Sequence, residues 1–170
     1  ADGGIRAQTF QLCCFRSSCP VCSERWAKRA TARIMDRLTH SKKNLKYLKH
    51  VVVSPPRWLQ HKPISELRKE ARKMAKRAGI EGGLDIVHPF RQRDSKWYLS
   101  PHFHYLALGW VSKTDEIFQK NGWLVKNIGI RENPVGTVAY LLSHAGIKKR
   151  RHTVTWFGDL SYSKLKIEKL

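Results

Sequence analysis

From Pro20 to Leu38 the stretch "PVCSERWAKRATARIMDRL" repeats apolar positions at Trp26, Ala30, Ile34 and Leu38, while Arg25, Lys28, Arg29, Arg33 and Arg37 fall mostly off that stripe. The period predicts an amphipathic helix with a basic outer face. "KHVVVSPP", residues 49 to 56, is a β-branched run stopped by two prolines and predicts a strand. After Pro63, Ile64, Leu67, Ala71, Met74, Ala75 and Ala78 recur at helical spacing until Gly79, with Arg68, Lys69, Arg72, Lys73, Lys76 and Arg77 on the opposite side. "GGLDIVHPF" predicts a second strand, "RQRDSK" a polar connection, and "WYLSPHFHYLALGW" a third strand paired antiparallel to the second, with a bulge or break at Ser100-Pro101. "KTDEIFQK" predicts a short helix and "GWLVKNIGI" a strand. A further helix begins at Asn133-Pro134 and runs towards Gly146, and "TVTWF" is one more strand. The pattern as a whole predicts an α+β fold with one central antiparallel sheet backed by helices.

At 170 residues the chain is long enough for one domain with a core, spanning 1–170, in which residues 13–40 form an N-terminal appendage of cysteine cluster and basic helix. A hydrophobic fraction of 41% argues for a packed globule rather than a disordered basic tail. Lys and Arg number 33 against 13 Asp and Glu, a net charge of +20, which points to a polyanionic partner. With no long uncharged apolar run and no signal-peptide core, nucleic acid is the expected partner and no membrane is. The four cysteines sit together in "CCFRSSCPVC" and cannot bridge distant parts of the domain, so an intracellular, cytoplasmic setting is expected. The chain starts without Met and reads as a processed product or a piece of something longer.

In a strand, residues two apart share a face, so His102 and His104 of "HFH" can converge on one ion while Phe103 and Tyr105 point the other way. An isolated histidine in a strand is ordinarily a satisfied polar residue; a pair on an otherwise apolar face makes a metal half-site. His88, on the face of Leu84 and Ile86 in the neighbouring strand, is the expected third ligand, with Glu81 and His144 in reserve. Tyr140 lies mid-helix with His144 one turn later on the same side. A helical tyrosine by itself is ordinarily core packing. Beside the histidines it becomes a candidate nucleophile, and a bound divalent ion would polarise its electrophile. "CPVC" offers Cys19 and Cys22 to a structural zinc ion, with Cys14 as a third ligand and Cys13 the nearest fourth. His40, His50 or a residue preceding Ala1 are the alternatives for that fourth place; reduced thiols packed beside the helix are the plainer reading. Trp97, Trp110, Trp123 and Trp156 could stack on unpaired bases, although core packing is the ordinary job of each.

"HFH", two histidines around a bulky residue, followed in order by Tyr140, resembles the motif set of the HUH endonucleases. The blocks "CPVC", "IVHPFR", "SPHFHYLALGW", "AYLLSHAGI" and "TWFGDLSYSKL" are similar to those of replication initiators from archaeal rolling-circle plasmids and related viruses. The resemblance implies an RRM-like or ferredoxin-like core and a nickase acting on single-stranded or hairpin origin DNA. In it, His102 and His104 would hold Mn²⁺ or Mg²⁺ and Tyr140 would form a 5′-phosphotyrosyl link that leaves a free 3′-hydroxyl. His144 would accept the phenolic proton or complete the ion's shell. The host replication machinery, with a separate helicase, is implied as partner, since the chain has no "GxxxxGK[ST]" loop. Where some members carry a second tyrosine or a lysine one turn after the nucleophile, this chain has Ser143 and His144, which fits a one-tyrosine enzyme. A transposase or relaxase would use the same residues on a different DNA site. A zinc-containing nucleic-acid-binding module without catalysis would need only the charge and the cysteines.

Overall fold

The computed structural model describes residues 14, 18–41, 43–145 and 152–167. Helix α1 (Pro20–His40) leads into β1 (Lys49–Ser54), α2 (Ile64–Arg77), β2 (Ile80–Arg93), β3 (Lys96–Gly109), α3 (Thr114–Asn121), β4 (Leu124–Ile130), α4 (Pro134–Ala145) and β5 (Val154–Gly158). The strands form one five-stranded sheet in the order β4-β1-β3-β2-β5, with every neighbouring pair antiparallel. The α+β class and the antiparallel sheet are as the periodicities predict. Gly79, at φ 92°, ends α2 in a conformation that side chains disfavour, and Asn133 caps α4 by accepting from the Gly136 N–H at 2.8 Å.

The sheet is covered on both faces. Val51, Val53, Val87, Phe103 and Tyr105 pack with Leu67, Ala71, Met74 and Ala75 of α2 and with Ile117 of α3. On the opposite face Leu84, Ile86 and Leu106 pack with Ala27, Ile34 and Leu38 of α1 and with Val138, Leu141, Leu142 and Ala145 of α4. The period-2 alternation along β3 divides its side chains between these two cores.

Three expectations need correction. "RQRDSK" is not a connection: β2 continues to Arg93, and the reversal takes only Asp94 and Ser95, both at positive φ (48° and 61°), the tight turn that suits strand twist. The pair lacks the glycine that usually marks such a turn. Arg68 and Arg72 do not belong to a solvated face, because both turn inward to Asp85. The buried Asp85 carboxylate lies 2.7 Å from Arg68 Nε and 2.9 Å from Arg72 Nη2, and accepts from Thr155 Oγ1 at 2.7 Å. A carboxylate in that position is tolerable only because cations and a hydroxyl meet it there. Arg37 is likewise buried and donates to the carbonyls of Leu160, Ser161 and Leu165, holding the chain after β5 onto α1.

The bulge expected at Ser100-Pro101 is present. His88 pairs with His102 and Phe90 with Leu99, so β3 has one residue more than β2 across that interval. Beyond it β2 and β3 have only each other, because β1 reaches Phe103 to Ala107 and β5 reaches Gly82 to Ile86.

Candidate metal centre and cleft

At one end of the face covered by α1 and α4, the apolar series Leu84, Ile86 and Leu106 gives way to histidine. His88, His102 and His104 come together there, with one ring nitrogen from each lying within 4.8 Å of the others. His88 and His102 are buried and His104 half-buried. The strands create the group: His88 stands directly opposite His102 across the β2–β3 ladder, and His104 follows two residues along β3 on the same side. The expected third residue, His88, is the one brought to the pair. Glu81 is exposed and lies seven residues back along β2, about 23 Å away at strand rise. His144 is outside the group.

The hydrogen bonds assign the ring tautomers. His88 Nε2 donates to the Leu141 carbonyl at 2.8 Å, so the neutral ring has its lone pair on Nδ1. His102 Nδ1 donates to the Ser100 carbonyl at 2.8 Å, which leaves the lone pair on Nε2. His104 Nδ1 faces His50 Nε2 at 2.8 Å, and His104 can offer a lone pair at Nε2 only when it is the donor in that contact. His50 is the residue that sequence reasoning misplaced, having been weighed as a zinc ligand. It lies on β1, paired opposite Leu106 and therefore on the histidine face. The signal was available in the alternation of "KHVVVS", which puts His50 on the side opposite Val51 and Val53.

Burial, the main cause, pushes the His102 imidazole down to about 4, with Arg91 and His88 adding to the effect against a raising hydrogen bond to Ser100. His104 is lowered to about 2 by burial and then by the neighbouring imidazoles and Arg91, and His50 to about 4 by burial, Arg131 and His88. His50, His102 and His104 are therefore neutral at physiological pH, and His102 and His104 need shed no proton to bind an ion. Three imidazole nitrogens are enough to hold one divalent cation, and each of their second nitrogens is fixed by an oriented partner, as metal-binding histidines require.

Tyr140 and His144 share one cleft of about 580 Å³ with the three histidines and with Phe90, Arg91, Arg93, Trp97 and Tyr98 of the β2–β3 arm. Tyr140 is not core: its side chain is 64% exposed, whereas Leu141 and Leu142 beside it are buried. The His144 ring leans on the Tyr140 ring at 4.5 Å between centroids, and its Nδ1 donates to the Tyr140 carbonyl at 2.9 Å. Among the described residues no hydrogen bond joins His144 to the Tyr140 hydroxyl, and the contact between the two side chains is ring against ring.

Cys14, Cys19 and Cys22 form a second group, their sulfurs within 4.8 Å of one another. Cys22 Sγ is 3.3 Å from Cys14 Sγ and accepts the Cys14 backbone N–H at 3.1 Å. Cys13 lies outside the described residues. His50 belongs to the other cluster, and His40 is eighteen residues along α1 from Cys22, about 27 Å away. Neither can be the fourth ligand. Of the tryptophans, Trp123 and Trp156 are buried, while Trp97 and Trp110 are exposed, against the core placement expected of each. No helix among the described residues is long and apolar enough to cross a membrane.

Compared with protein-family models, with curated proteins and with solved structures, the chain finds no match in any of the three.

Two measurements check the centre. Replacing His50 with alanine should weaken Mn²⁺ binding about 10- to 100-fold while the fold is kept, because His104 loses the partner that sets its tautomer; titration calorimetry on folded protein reads this, and unchanged affinity would remove His50 from the site. The second concerns pH. The depressed imidazoles of His50, His102 and His104 make the unfolded chain the stronger proton binder once pH drops below the ordinary histidine value. The ion-free protein should hold its stability above about pH 6.5 and lose it progressively down to about pH 4, as read from urea midpoints. A flat profile over that range would mean that the rings are not buried neutral.

Proposed function

We propose that the chain is a metal-dependent single-strand DNA endonuclease of the HUH type, acting in the cytoplasm as the initiator of rolling-circle replication. One observation carries the reading: the three-histidine centre and an exposed tyrosine on an adjoining helix line the same basic cleft. Two further features support it. The unit β1–α2–β2–β3–α3–β4 with spatial order β4-β1-β3-β2 corresponds to the ferredoxin-like arrangement that the resemblance implies. The charge of +20 suits a polyanionic substrate.

In this reading His88 Nδ1, His102 Nε2 and His104 Nε2 would hold a divalent ion. A donor set made wholly of nitrogen suits Mn²⁺ better than Mg²⁺, which demands oxygen ligands. An ion held there would supply positive charge to the phosphate, where charge grows as the phosphorus is attacked. The Tyr140 hydroxyl oxygen attacks in line. An oxygen–phosphorus bond forms to the tyrosine as the bond from phosphorus to the 3′ oxygen breaks. Exposure of the phenol lets its proton leave to solvent, and the departing 3′ oxygen takes up a proton to become a free hydroxyl. Because one phosphoester replaces another, the later rejoining of strands needs no nucleoside triphosphate. His144 orients the Tyr140 ring and Arg91, which donates to Ser54 Oγ at 3.1 Å, stands ready for a phosphate. The three cysteines would hold structural zinc at the start of α1, the helix that packs on α4 and so supports Tyr140.

The test uses oligonucleotides from candidate origins labelled at either end, incubated with the protein and Mn²⁺ and resolved on a denaturing gel. The 3′-labelled strand should migrate covalently with the protein and the 5′-labelled strand should be released with an extendable 3′ end. Tyr140→Phe and His102→Ala should each abolish the adduct. Tight binding with no adduct across a broad panel would leave a zinc-containing binding module as the function.

A further inference from the structure

The arm made by β2 and β3 beyond the Ser100-Pro101 bulge stands clear of the rest of the sheet. From Phe90 to Arg93 and from Lys96 to Leu99 its strands pair only with each other, four residue pairs that extend about 13 Å past the sheet. A free two-stranded ribbon has little intrinsic stability and gains nothing from exposing large apolar groups. This one nonetheless leaves Phe90 48%, Leu99 55% and Trp97 62% exposed. The register pairs Phe90 with Leu99 and Gln92 with Trp97, so the three large side chains share one face of the ribbon. Arg91, Tyr98, Arg93 and Lys96 pair on the other, where Asp94 supplies only a wide, exposed contact of 3.6 Å to Arg93.

An aromatic face and a basic face on one ribbon fit a ligand that carries both flat apolar surfaces and negative charge at short intervals. A strand of unpaired nucleotides has that character. A duplex does not, because its base faces are already stacked. The ribbon is also continuous with the cleft, whose lining includes residues from both of the ribbon's faces, Phe90, Gln92 and Trp97 as well as Arg91, Arg93 and Tyr98, together with Tyr140. Arg91, tied to Ser54 at the end of β1, holds the root of the ribbon at a fixed angle to the sheet.

We infer that the β2–β3 ribbon is a base-stacking arm, on which Trp97 and Phe90 receive unpaired bases next to the phosphate in the cleft while Arg91 and Arg93 meet the flanking phosphates. The inference rests on the nuclease reading for the position of that phosphate, but the arm's binding of single strands does not require cleavage. It assigns Trp97 a task that the histidine centre and Tyr140 cannot perform, which is to select unpaired over paired DNA.

The experiment measures binding of a fluorescent oligothymidine and of a duplex of equal length to the Tyr140→Phe protein without added divalent ion, so that no strand is cut. Added to that background, Trp97→Ala should weaken oligothymidine binding about 5- to 100-fold, Trp97→Phe should keep most of the affinity, and duplex binding should hardly change. Arg93→Ala should flatten the dependence of log affinity on log salt by about 0.7. Trp110→Ala, at an exposed tryptophan elsewhere on the surface, should bind as the background does. Unchanged oligothymidine affinity in both Trp97→Ala and Phe90→Ala would overturn the inference. So would a wild-type protein that self-associates through this face, shown by sedimentation in which Trp97→Ala becomes monomeric with its oligothymidine affinity intact. The two readings fail separately: loss of binding in Trp97→Ala alongside a wild type that never forms a covalent adduct keeps the arm and discards the nuclease.

Discussion

The hydrogen bond from His88 Nε2 to the Leu141 carbonyl, 2.8 Å long, joins the histidine group on the sheet to the helix that carries Tyr140. Leu141 is buried in the core and Tyr140, the residue before it, faces the cleft, so the bond sets how far the phenol stands from the imidazoles. It also determines which nitrogen of His88 has the lone pair. One contact therefore fixes the tautomer of His88 and the position of Tyr140 together. The remainder of the layer serves that alignment: Val138, Leu142 and Ala145 seat α4 on the sheet, and α1 covers it from outside.

The face under α1 and α4 changes character along its length. Leu84, Ile86 and Leu106 are wholly buried where the helices cover them, and His88, His102 and His104 take over where the cover opens into the cleft. Burying charged imidazoles would be costly, and desolvation keeps His102 and His104 neutral. A neutral nitrogen set would leave the full charge of a cation held there for an anionic ligand, and Arg91 would add to that field. On the opposite face the same rule is met differently. The side chain of Asp85 is buried among Arg68, Arg72 and Thr155, a cluster that turns two basic residues towards the interior.

Much of this was legible in the chain. The helical period of α1, α2 and α4, the β-branched run of β1 and the two-residue spacing of "HFH" each act locally, and a local rule is enough to read them. His88 could be placed because it shares the parity of Leu84 and Ile86. The inward turn of Arg37, Arg68 and Arg72 could not be read, since it depends on carbonyls and a carboxylate far along the chain. Neither could the ribbon: "RQRDSKWYL" has the composition of a loop, and its strand character comes from pairing across a turn that lacks the usual glycine. The outward placement of Trp97 follows from that pairing and not from its own hydrophobicity, which argues for burial.

The most direct test of the centre is crystallographic. Crystals grown with Mn²⁺ and measured near the manganese absorption edge should show one anomalous peak bounded by His88 Nδ1, His102 Nε2 and His104 Nε2, with His50 still bonded to His104 and Tyr140 facing the ion across the cleft. An ion bound through other nitrogens, or a peak that leaves His88 out, would contradict the tautomers on which this account of the site depends.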